Sequence, residues 1–112
     1  MTSAPDSRLY VGVRRRDHVS VVRVDEGQTP VELPARFDLR NHSPDGFEWG
    51  YSGSGPAQLA LAIVADATGD NDQAQLLYQD FKDAVVAHLD HDGWEIDAGW
   101  VKLRLLEIMG EC

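Results

Sequence analysis

The chain has 112 residues and a mass of 12.4 kDa, with 43% hydrophobic and 26% charged residues, which is one small globular domain and not a disordered segment. Ten Lys and Arg stand against 19 Asp and Glu, a net charge of −9, and so acidic a surface repels phosphate backbones and disfavours non-specific nucleic-acid binding. No apolar run approaches the roughly 18 residues of a membrane span, the first six residues hold no apolar signal core, and the single Cys112 leaves no internal disulfide or multi-cysteine zinc site. A cytoplasmic protein is expected, with no membrane contact.

Residues 1–7 read as a flexible tail, and residues 8–112 as a single α+β domain. Arg8–Arg14 and His18–Asp25 are rich in β-formers and predict two strands of a hairpin, with Arg15, Arg16 and Asp17 at a basic tip. Val19 and Val21 fall on one face, Val22 and Val24 on the other, so a strand covered on both sides is expected. Pro30 and Pro34 bracket a short edge strand at Val31-Glu32-Leu33. Residues 41–55 carry four glycines and three aromatics, Phe47, Trp49 and Tyr51. They predict an ordered loop with a short extended piece at Phe47–Trp49.

Pro56 suits a first helical position, Ser54 or Gly55 a cap, and Gly69 a stop. Nine of the 13 residues from Pro56 to Thr68 are apolar, so this alanine-rich helix is predicted to lie at the centre of the core. A second helix is expected from Asp72 to His88, capped within Asp70-Asn71-Asp72, with its face at Ala74, Leu77, Tyr78, Phe81, Ala84, Val85 and His88. Trp94–Ile96 is a brief extended stretch. Asp97 can cap a last helix from Ala98 to Met109, whose residual apolar surface makes a homodimer conceivable. The predicted fold class is α+β: a small antiparallel sheet with an N-terminal hairpin, packed on about three helices.

Charge is unevenly spread. Residues 1–40 carry seven basic and six acidic groups, and residues 41–112 carry three basic and 13 acidic ones. Solvation accounts for the acidic half most simply; an acidic face for a basic partner is the sharper reading. The Arg14-Arg15-Arg16 tip is solvated in the plain reading and touches an acidic partner or a phosphate in the other.

The junction Gly53–Pro56 places amides at a helix start, where a small anionic ligand could sit. Pro56-Ala57 stands where a P-loop needs Lys and Ser/Thr, so that class of nucleotide hydrolase is rejected. Gly50-Tyr51-Ser52-Gly53-Ser54 ends in Ser and fails as a nucleophile elbow. His88, Asp90, His91 and Asp92 match no zinc or calcium spacing, so no metal and no cofactor is expected. His42, Asp45 and Glu48 crowd one loop and could form an acid–base group. The plainer account of His42 is a loop clamp.

The run H-S-P-D-G-F-E-W-G-Y-S-G-S-G-P-A-Q-L-A-L-A-I from His42 to Ile63 resembles the signature of an uncharacterised prokaryotic and mobile-element family, a domain of unknown function. The similarity extends to Tyr10–Arg14 before it and to Tyr78–Lys82 and Trp94 after it. The resemblance supplies no activity and no catalytic residues. It implies that the loop and the buried helix are the defining unit, and it raises an accessory role against host defence. The leading expectation is a non-enzymatic binding module for a protein partner. Its loop would offer His42, Asp45, Glu48, Trp49, Tyr51, Ser52, Ser54 and Gln58. The alternative is a small hydrolase or transferase acting on a phosphorylated or nucleotide-like ligand. There His42 would be the acid–base and Glu48 or Asp45 its partner.

Overall fold

A computed structural model describes residues 7–16, 18–44 and 46–110. Strands β1 (Leu9–Arg14) and β2 (Val19–Val24) form the expected hairpin, with Gly12 opposite Val21. Strand β3 (Val31–Glu32) extends β2, and β4 (Gly93–Asp97) pairs with β1, giving an antiparallel sheet of order β3-β2-β1-β4. Helices α1 (Ser54–Thr68), α2 (Asn71–Ala84) and α3 (Ala98–Gly110) complete an α+β domain. Residues 1–6 of the tail expected over residues 1–7, the tip residue Asp17 and the terminal Cys112 lie outside the described residues.

Directly paired residues share a face of the sheet. Tyr10, Val21, Trp94 and Ile96 join the core, whereas Leu9, Val11, Val13, Val22 and Val24 are half-buried and take no part in it. The expectation that β2 is covered on both sides is therefore corrected. Its apolar residues do alternate, but the core lies on one side of the sheet only.

Helix α1 is the core. Pro56 to Ala65 are all buried, because alanine lets neighbouring backbones approach closely on every side. Gly69 ends it in the left-handed conformation, φ 66°, with its N–H on the Ala65 carbonyl. One carboxylate fastens α1 to the sheet. Asp66 accepts from the Tyr10 hydroxyl at 2.8 Å, from Arg23 at 2.8 Å and from Arg8 at 3.1 Å. Its side chain is only 11% exposed, so these donors replace the water it gives up.

Asp70 caps α2 by accepting from the Gln73 N–H at 3.0 Å. The helix stops at Ala84, short of the expected His88, and a 3₁₀ turn follows at Val86–His88. The Val86 side chain is fully buried there, and its carbonyl accepts from Gly50 of the aromatic loop at 3.0 Å. The regular helix yields to that tertiary contact. Asp97 caps α3 through the Trp100 N–H, as expected.

Candidate functional site

Among its described residues, the loop between Asn41 and Gly53 contains no strand, yet it is fixed at several points. Trp49 is 1% exposed, and its indole N–H donates to the carbonyls of Asp90 and His91 at 2.9 and 3.1 Å. Trp94 meets it edge to face, with centroids 5.4 Å apart. Trp94 in turn lies over Gly12, where an added Cβ would stand 2.4 Å from the indole. Gly50 has φ 88°, a conformation that only glycine adopts freely.

Arg14 supplies the next anchor. Its guanidinium sits 4.9 Å from the Trp49 ring centroid and forks onto Glu48 at 2.8 and 3.0 Å. Its Nε donates to the His91 carbonyl at 2.8 Å. The Arg14 hydrogen bonds hold the Glu48 carboxyl below its usual range, against the cost of partial burial. Glu48 is thus ionised near neutral pH and a weak proton acceptor. Arg14, expected to be solvated or to meet an acidic partner or phosphate, instead ties the end of β1 to the loop.

Gln58 anchors the loop from below. It is fully buried on α1, and its amide makes four hydrogen bonds. Its oxygen accepts from the backbone N–H of His42 at 2.7 Å and of Ser43 at 3.3 Å. Its nitrogen donates to the carbonyls of Ala35 at 2.7 Å and Arg40 at 3.0 Å. Every donor and acceptor of the side chain is used.

A cleft of about 610 Å³ opens between this loop, the start of α1 and the β2–β3 edge, a size within the usual range for ligand sites. Glu48, Tyr51 and Ser54 line one side, and His18, Val19 and Glu32 the other. Tyr51 is 51% exposed at its mouth. The structure thus gathers Glu48, Tyr51 and Ser54 at one place. Trp49 and Gln58 are buried supports, and Ser52 reaches Asp83 at 3.5 Å. His42 is not part of the cleft wall: its Nε2 lies 2.6 Å from the Tyr78 hydroxyl, on α2. Its backbone is the part clamped by Gln58. Asp45 lies outside the described residues.

At the helix start, Gly53 is the cap residue and no side chain caps the first amides. Glu48 packs there, so close that a Cβ on Gly55 would stand 2.7 Å from the Glu48 Cβ. The Glu48 stem thus fills the space beside Gly55, while its carboxylate is turned to Arg14. Among the described residues, no group of three His, Cys, Asp or Glu side chains could hold a metal ion, and no helix is long and apolar enough to cross a membrane.

Sequence reasoning missed Arg14, Tyr78, His18 and Glu32 as parts of this region. Their partners lie far along the chain, 34 residues from Arg14 to Glu48 and 36 from His42 to Tyr78, and no spacing rule reports such contacts. Residues 10–107 match the model of a family described as of unknown function, DUF6166, and the chain belongs to that family. No curated protein and no solved structure matches it.

Proposed function

We propose that this member of the DUF6166 family is a non-enzymatic binding module that takes a protein partner in the cleft beside Tyr51. The observation that carries this reading is a half-exposed aromatic ring on a backbone held by Gln58, Trp49 and the Arg14–Glu48 fork. Such a ring binds with little ordering cost, and exposed tyrosines on stiff loops are common anchors of interfaces. The acidic surface favours a partner with basic character over nucleic acid. The family resemblance adds an accessory role in a mobile element, such as interference with host defence, in the cytoplasm.

The catalytic alternative has less support. His42 and Glu48 are engaged by different partners, Tyr78 and Arg14, and Glu48 is held ionised. At Gly53–Pro56 the Glu48 stem packs against Gly55 and takes up room that a small anion would need. Self-association has one specific observation in its favour: Leu103 and Leu106 on α3 are 61% and 63% exposed. Light scattering across a dilution series, with Leu103→Lys as control, measures it.

The main reading is tested by affinity capture from source cells with the wild type, Tyr51→Ala and Asp80→Asn. Asp80 is exposed on α2. Partners lost with Tyr51→Ala and kept with Asp80→Asn support the cleft. The same partners on all three baits refute it.

A further inference from the structure

We infer that the occupant of this cleft is an extended peptide segment that adds a strand to the open edge of β2; the inference rests on the binding reading of the same cleft. Strand β3 is only two residues long and pairs with Val22 and Arg23. Its last bond runs from the Leu33 N–H to the Val21 carbonyl at 3.1 Å. Pro34 faces away from β2, and Ala35, the next residue that would face it, is drawn off, its carbonyl accepting from Gln58 on α1 at 2.7 Å. Past that point no strand neighbours this side of β2 among the described residues.

The backbone of β2 points the right way for an addition. The His18 carbonyl accepts from the Arg15 N–H at 2.8 Å and so faces β1. Backbone groups alternate sides along a strand. Val19 therefore faces the opposite side, as does Val21, whose carbonyl takes Leu33. The Arg14 N–H confirms the phase, since it bonds the Asp92 carbonyl and not Val19. The N–H and C=O of Val19 are directed where β3 would have continued, and Val19 lines the cleft. The opposite wall, with Tyr51 and Ser54, would receive alternate side chains of the incoming strand. This is recognition by strand addition: backbone bonds supply affinity and side-chain positions supply selectivity.

Charge selects the segment. Glu32 is exposed at the β3 end of the cleft and has no ion-pair partner among the described residues. In a chain of net charge −9, it favours a Lys or Arg on the segment at that end. The exposed Arg15 and Arg16 flank the other end, beyond His18, and favour an acidic group there.

The test is selection of a displayed library of random linear heptapeptides on the full chain, followed by synthesis of the enriched peptides. Enrichment of sequences with a Lys or Arg is expected. Binding should slow hydrogen exchange at the Val19 amide at least tenfold and leave the Val22 amide, already in the ladder, unchanged. Glu32→Lys should weaken binding about fivefold or more. Val19→Pro removes the edge donor but no bond to β1, and should weaken binding tenfold or more; the exchange measurement on the unaltered chain stands if that variant fails to fold. Peptides that need Tyr51 but leave Val19 exchange unchanged would overturn strand addition and keep the cleft as a binding site. A selection that enriches nothing would also overturn it, while the Tyr51→Ala capture decides the broader reading separately.

Discussion

Replacing Gln58 by Leu tests the claim that one buried amide holds the loop. Leucine is close in volume, so no large cavity is made, and the effect isolates the hydrogen bonds. Two backbone N–H groups, of His42 and Ser43, and two carbonyls, of Ala35 and Arg40, lose their partner together. A buried group left unsatisfied costs about 1–3 kcal/mol. His42, Ser43 and Ala35 are half-buried and Arg40 is exposed, so roughly half of these groups regain water, and a net loss of about 3 kcal/mol is expected. For a domain of this size that is a drop in Tm of about 12 °C. Urea unfolding at equilibrium measures it, with Gln58→Glu as companion. A glutamate can still accept from His42 and Ser43 but, when ionised, cannot donate to Ala35 and Arg40. It also buries a charge, so it should be the more damaging change at neutral pH. A Gln58→Leu loss under about 1 kcal/mol would refute the reasoning, because the loop would then be held without the amide.

Three further outcomes follow from the same contacts. Gly12→Ala forces a Cβ into the Trp94 indole and should cost about 1–3 kcal/mol in chemical denaturation; a neutral result would mean that Trp94 moves freely. Asp66→Ala removes the carboxylate that Arg8, Arg23 and Tyr10 share between α1 and the sheet; Arg23 keeps Asp25 and Arg8 keeps the carbonyls of residues 66 and 67, so the change should cost about 1–3 kcal/mol in the same assay. Glu48 has a folded pKa below its ordinary value. Its contribution is therefore complete above the unfolded value, about 4.3, and is lost as the pH falls through the folded value. The stability difference between wild type and Glu48→Gln should be level from pH 7 to about 5 and shrink on further acidification. A difference that grows in acid would contradict the Arg14 pairing.

Much of the local structure was legible along the chain. The alanine-rich run between Pro56 and Gly69 announced a buried helix, since so many small apolar residues leave no polar face for water. Val-rich stretches on either side of Arg15-Arg16-Asp17 announced the hairpin. Asp97 and Asp70 marked helix starts because short carboxylates satisfy free amides at that place. Glycines and aromatics packed into residues 41–55 announced an ordered loop. The end of α2 was misread, because Val85 and Val86 continue a helical pattern while Val86 is drawn out of it by the core and by Gly50. Coverage of both faces of β2 was misread for a related reason: alternation gives the faces, not what packs on them.

What the sequence determined by itself, then, is where the chain turns, coils and extends, because those choices depend on neighbours a few residues apart. Tertiary structure alone decided that Arg14 belongs to Glu48, that His42 belongs to Tyr78, and that a cleft opens between β2 and Tyr51. Each of these joins residues some thirty positions apart. Such pairings depend on how the sheet, the loop and α1 close on one another, and a side chain's nearest opposite charge in space has no fixed spacing in sequence.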